Sequence, residues 1–286
     1  MGRAVSLVGT MLDYQRLYAQ VTGLRAKNPD LKVLLAVGGW AAGYEPFYDV
    51  MGSAENITEF ANNVVAYLRS QNMDGLDMDW EFPGSRGSPP EDRENFTYLM
   101  KELYTAFKEE SVRTKKPKLL LTLATAVGWD YIVDAYEPRQ IYHTLYVLLR
   151  TYFSVDVTAK RLATYGMSFT LEDPSQHGVY APALGGGEPG KYSRQEGILA
   201  YYEICDYIQN QGWTREWIGH QFVPYAYKGD QWVGYDDTIS LGYKVREMIN
   251  NLGLAGAFIW AIDLDDFSGH CGQGKYPLLH AINNAL

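Results

Sequence analysis

The residues best placed to do chemistry lie in one segment, Asp74-Gly75-Leu76-Asp77-Met78-Asp79-Trp80-Glu81, where acids recur at every second position from 77 to 81 between apolar neighbours. Successive side chains of a strand point to opposite faces, so this period puts Asp77, Asp79 and Glu81 on one face and Leu76, Met78 and Trp80 on the other. Three carboxylates held that close disfavour full ionisation, and the expectation is a shared proton with the pKa values of the group driven apart. A carboxylic acid kept protonated near neutrality in this way can act as a general acid. Asp74 falls on the other parity and is expected to shape the turn into the strand. Calcium ligation is the competing chemistry for such spacing, but the segment has neither the loop glycine nor the twelfth-position glutamate of an EF-hand, and strand formers flank it. A calcium site is therefore not expected here.

The elements around this segment alternate. Residues 31–37, Leu-Lys-Val-Leu-Leu-Ala-Val, read as a buried strand closed by Gly38-Gly39. Ser53 is a candidate N-cap for a helix that carries Phe60, Val64, Tyr67 and Leu68 at helical spacing and ends near Asn72. A strand over 75–80 follows, then Pro89-Pro90, then a helix over 91–111 with Phe96, Leu99, Leu103 and Phe107 on one face. Further strands are predicted over 119–126, 161–168 and 255–262. Strands separated by helices imply right-handed βαβ units in a parallel sheet, either doubly wound or a TIM barrel. In a barrel the acids point inward, with Glu81 nearest the carboxyl end, where barrel active sites sit. Residues 169–237 differ in composition, with Gly185-Gly186-Gly187, Pro182 and Pro189, a helical stretch over 196–209 and alternating aromatic runs over 222–235. They read as an inserted α+β subdomain. The expected fold is thus α/β, with barrel residues 1–168 and 238–286 around an insertion at 169–237.

Composition narrows the functions. A chain of 286 residues, 47% hydrophobic, can bury a large core. A net charge of -9 without a Lys/Arg cluster argues against nucleic acid as a partner. No stretch reaches the roughly 18 apolar residues of a membrane span, and residues 1–9 form no apolar leader core. The 23 Tyr and 7 Trp exceed what a core needs; such rings either pack inside or stack on sugar faces. Sequons at Asn56 and Asn95 are compatible with a secretory history. Cys205 and Cys271 either bridge in an oxidising compartment or are two unrelated buried thiols.

The acidic segment resembles the signature Asp-Gly-x-Asp-x-Asp-x-Glu on the fourth barrel strand of the family 18 glycoside hydrolases, the chitinases and chitinase-like lectins. The likeness extends to Lys32-Val-Leu-Leu-Ala-Val-Gly-Gly-Trp40 (third strand), Phe82-Pro83-Gly84-Ser85-Arg86-Gly87, Tyr165-Gly166-Met167-Ser168-Phe169 (seventh strand) and Trp260-Ala-Ile-Asp-Leu-Asp-Asp-Phe267 (eighth strand). It implies a TIM (β/α)8-type barrel and a substrate of chitin or chito-oligosaccharides. In the implied reaction the substrate's own N-acetyl oxygen replaces an enzymic nucleophile and Glu81 is acid and base. Asp79 would hold the acetamido group, and Asp77 would share a proton with Asp79. Trp260 resembles the tryptophan flooring the cleaved sugar's subsite, and Trp40 a neighbouring stacking residue; each could instead be core packing. Tyr165 joins them as a substrate-binding candidate. Cys205 and Cys271 resemble the family's C-terminal disulfide pair. The resemblance further implies an extracellular monomer that acts on chitin and touches neither membrane nor nucleic acid.

The sequence also departs from the family's pattern. The first two strands would precede residue 1, and no Met-x-Tyr-Asp motif of the sixth strand occurs in 145–157 or anywhere else. Met167 stands where many relatives carry a basic residue. Five strands are assigned where a closed barrel wants eight, so the expected barrel is incomplete, and a non-catalytic chitin-binding lectin or an inactive truncated form stands beside the hydrolase reading.

Overall fold

A computed structural model of the chain describes residues 11–126, 129–141, 159–252, 254 and 256–286. It divides into two units, Met1–Val157 and Thr158–Leu286. The segment over 145–157, where the sequence lacks the Met-x-Tyr-Asp motif of the sixth strand, lies outside the described residues.

In the first unit, α1 (Met11–Gly23) and a 3-10 turn (Leu24–Ala26) precede β1 (Leu34–Gly38). Then come α2 (Glu45–Met51), α3 (Ala54–Ser70), β2 (Gly75–Asp79), α4 (Asp92–Thr114), β3 (Leu120–Leu123), α5 (Trp129–Ala135) and α6 (Pro138–Ile141). The three strands form one parallel sheet with β2 central, pairing Ala36 with Asp77 and Gly38 with Asp79 on one side and Asp77 with Thr122 on the other. Strand alternation is as the sequence predicts: Leu76, Met78 and Trp80 are buried against the helices. Phe47 of α2 stacks on Trp80 at 4.4 Å, and Phe96 of α4 meets it edge-on at 5.8 Å. Ser53 caps α3, its Oγ accepting the Asn56 N–H at 3.1 Å. Gly75 permits the close approach of β2 to β3, because a Cβ there would lie 2.2 Å from the Leu120 carbonyl oxygen.

The second unit runs β4 (Ala159–Ala163), β5 (Tyr165–Leu171), β6 (Ala183–Gly186), β7 (Ile198–Ala200), α7 (Tyr201–Asn210), β8 (Thr214–Ile218), β9 (Val223–Lys228) and β10 (Gln231–Gly234). After these come α8 (Thr238–Lys244), a π-helical turn (Val245–Asn250), β11 (Gly256–Trp260), a 3-10 turn (Ile262–Leu264) and α9 (Pro277–Ala285). Strands β4 and β11 pair in parallel, while β6, β5, β10, β9 and β8 form an antiparallel sheet with β7 also on β5. Alternation on β9 and β10 buries Ala226 and Val233. It leaves a row of half-buried rings across the opposite face, with His177 on Tyr227 at 3.7 Å and Trp232 on Tyr225 at 5.4 Å.

Two expectations are corrected in this unit. The single strand over 161–168 is two strands in different sheets. Thr164 is buried between them, donating its N–H to the Trp260 carbonyl at 3.2 Å and its hydroxyl to the Ala261 carbonyl at 2.6 Å, and the chain turns there. The helix over 196–209 begins only at Tyr201, because Gly197 has φ +77 and the residues after it extend as β7. Buried Glu203 then fixes the helix start, its carboxylate accepting the N–H groups of Ala200, Tyr192 and Ser193.

Candidate active site

The carboxyl end of β2 carries the three acids. Asp77 is half-buried, Asp79 is buried and Glu81, just past the strand, is half-buried. Their neighbours on the same face are small, Ala36 and Gly38 on β1 and Thr122 on β3, so the face is not filled by side chains from the flanking strands. Gly38 is required at its position: with φ +110, a Cβ there would sit 2.3 Å from the Asp79 carbonyl oxygen, and the next N–H, of Gly39, donates to that oxygen at 2.6 Å. Asp77 accepts the Thr122 hydroxyl at 2.5 Å. Burial pushes the Asp77 carboxyl above the ordinary carboxylate range and outweighs that hydrogen bond, which acts the other way. Asp74, on the opposite parity, does shape the approach to the strand: its Oδ2 binds Arg25 and accepts the Val33 N–H at 2.7 Å.

The loop after Glu81 is laced to the helix that follows. Ser88 donates to Asp92 at 2.8 Å and accepts the Gly84 N–H at 2.9 Å, and Asp92 is almost fully buried. Arg86 reaches back from this loop, donating to the carbonyls of Glu81 at 2.9 Å and Trp40 at 3.0 Å. Its guanidinium lies 3.6 Å from the centroid of the Trp40 ring, while Trp40 itself is 60% exposed. The indole is therefore a surface platform held by a cation–π contact rather than a core residue.

Tyr136 was not legible as part of this site. It is buried, edge-on to Phe96 at 5.7 Å and to Phe82 at 6.5 Å. The Ala126 amide approaches its hydroxyl oxygen without closing a hydrogen bond, and the hydroxyl has no partner among the described residues. Its pKa is raised, first by burial and further by the charges of Glu81 and Asp79, so it stays a neutral phenol beside the acids. Only its place between α5 and α6, far from the signature, could have suggested it.

Of the remaining candidates, Trp260 ends β11 and is 45% exposed, and its carbonyl accepts the Thr164 N–H. Tyr165 opens β5 opposite Ala200 and is half-buried. The Thr164 bond to the Trp260 carbonyl thus ties the start of β5, where Tyr165 stands, to the end of β11. Cys205 of α7 and Cys271 are joined in a disulfide with Cα atoms 5.5 Å apart. Asp265 and Asp266, further along, are structural: Asp265 accepts the Leu278 and Leu279 N–H groups at the start of α9, and Asp266 accepts those of Gly269, His270 and Cys271. Among the described residues, no group of three or more His, Cys, Asp or Glu side chains is arranged to hold a metal ion, and no helix is long and apolar enough to cross a membrane.

Comparison with known proteins identifies the family. Residues 5–156 and 161–265 match the family model for the glycosyl hydrolases family 18. The oviduct-specific glycoprotein of Ovis aries is 38% identical over 314 residues, a match covering 96% of this chain and 58% of that protein. Chitotriosidase-1 of Mus musculus is 38% identical over 314 residues, covering 94% of this chain and 66% of that protein. The chain thus spans roughly three fifths of the length of such relatives. Among solved structures, human YKL-39, described as a pseudo-chitinase with retained chitooligosaccharide binding, is 32% identical with a TM-score of 0.87, covering 98% of this chain and 86% of that one. The fold class is accordingly the α/β one of the TIM-barrel chitinases, and this chain belongs to the glycosyl hydrolases family 18.

Proposed function

We propose that the chain binds chitin or chito-oligosaccharides and cleaves their β-1,4 linkages, with Glu81 as acid and base. The observation that carries this reading is the acid face of β2: Asp77 and Asp79 lie in register with small neighbours, Glu81 follows just past the strand, and burial keeps Asp77 protonated to a higher pH than usual. Glu81 gives its proton to the glycosidic oxygen as the C1–O bond breaks, while the substrate's acetamido oxygen closes on C1. Water then opens the resulting oxazolinium ion and returns a proton to Glu81, with retained configuration. Asp79 receives the acetamido N–H, and Asp77 shares its proton with Asp79 and steadies that charge. Trp40, backed by Arg86, stacks on a sugar ring, and Trp260 and Tyr165 supply further substrate contacts. Residues 1–168 and 238–286 are the catalytic domain in this reading and 169–237 the insertion. Protonation and neighbouring-group attack need no metal or cofactor. The Cys205–Cys271 bridge supports an extracellular place of action, and the reading takes the chain as a monomer.

A second reading, a chitin-binding lectin without turnover, is favoured by the missing Met-x-Tyr-Asp motif and by the likeness to YKL-39. Release of fluorophore from a chitobiose substrate separates the two. Glu81→Gln should lower release by at least about 10²-fold, the scale of general acid catalysis, while leaving retention on chitin beads intact. Equal background release from both proteins with retention on beads supports the lectin. Neither turnover nor retention identifies an inactive form.

A further inference from the structure

Two sequons, Asn56-Ile57-Thr58 and Asn95-Phe96-Thr97, play no part in the carbohydrate site, and the fold treats them differently. Asn56 is in the first turn of α3, exposed, as is Thr58; only Ile57 between them turns inward. The Asn56 side-chain amide donates to the Asp49 carbonyl at 2.7 Å. That bond uses one of its two hydrogens, and the other is free to be replaced by a sugar. Asn95, in the first turn of α4, is half-buried, and its amide donates to Asp92 at 3.1 Å. Asp92 is the anchor of the loop after Glu81, and the rest of the sequon, Phe96 and Thr97, is buried.

We propose that Asn56 is an N-glycosylation site and that Asn95 stays unmodified in the folded chain. The co-reactant is a lipid-pyrophosphate-linked oligosaccharide. The Asn56 Nδ2 forms a bond to C1 of its terminal N-acetylglucosamine, the C1–O bond to phosphate breaks, the lipid pyrophosphate leaves and one amide proton is lost. Transfer takes place on the extended chain, and the fold then decides which product is kept. A glycan at 56 projects from an exposed helix turn and leaves one N–H for Asp49. A glycan at 95 would have to enter the contact between α4 and the 82–88 loop, parting Asn95 from Asp92. The Cys205–Cys271 bridge is an independent mark of the oxidising compartment where such transfer occurs.

The test is to produce the full chain in cultured animal cells behind a heterologous secretory leader and to read both the medium and a detergent extract of the cells. Treatment with N-glycosidase F in heavy-oxygen water should give a one-glycan mobility shift, with the labelled aspartate at position 56 and none at 95. The shift should vanish in Asn56→Gln and in Thr58→Ala, persist in Thr58→Ser and be unchanged in Asn95→Gln. An unlabelled residue 56 in both fractions, or a labelled residue 95 in the secreted chain, would overturn the assignment. The extract alone decides position 56 if a variant is not secreted.

Discussion

Asp77 shows how one carboxyl ties the site to stability. Burial raises its pKa above the unfolded value of about 3.9, so the folded chain holds that proton more tightly than the unfolded one. The stability this contributes is fully present below the unfolded pKa and is lost as pH rises through the folded pKa. Asp77→Asn keeps a neutral group that can still accept the Thr122 hydroxyl. Its melting temperature relative to the parent should therefore climb as pH rises from about 4. A difference that does not vary with pH would show that Asp77 is not held protonated by the fold. At this scale much was legible, because the parity of 76–81 is a local property of any strand. The residues that surround the acids were not: Thr122 arrives from another strand, Arg86 folds back from a loop, and Tyr136 is placed by packing against Phe82 and Phe96.

Among the helices, α3 was read closest to its true limits because its start is set by one hydroxyl. Ser53→Ala removes the acceptor for the Asn56 N–H and should cost about 1 kcal/mol, measured as a lower midpoint in chemical denaturation, with Ser53→Asp restoring most of it. An unchanged midpoint in the alanine variant would mean that water replaces the cap without loss. The misread elements fail for the opposite reason. What ends β4 is a hydrogen bond from Thr164 to Ala261, 97 residues further on, and no local pattern in 161–168 announces it. The start of α7 depends on Gly197 taking a positive φ and on the Glu203 carboxylate gathering amides from a preceding loop, while side-chain periodicity alone carries the helix back to 196.

At the level of the whole molecule, the two units build separate cores, one around Trp80, Phe96 and Phe107, the other around Tyr201, Leu241 and Leu278. The family could be recognised from sequence because its signature is contiguous, and the matches over 5–156 and 161–265 bear that out. The bridge was left open by the residues alone, since two cysteines 66 positions apart say nothing of their distance in space. It closes a long loop, so Cys271→Ser should lower stability by about 2–4 kcal/mol and shift the thermal transition seen by near-ultraviolet circular dichroism downward. A transition equally insensitive to that substitution and to reductant would assign the bridge no stabilising role.

The glycine at position 38 limits how the neighbouring acid can be adjusted. On its β1 flank Asp79 meets bare main chain, and a Cβ at Gly38 would collide with its carbonyl oxygen. No substitution there can lend Asp79 a charge or a hydrogen-bonding side chain without moving the strand. Between the two flanking strands, the side open to adjustment is that of β3, where Thr122 is the replaceable neighbour of Asp77.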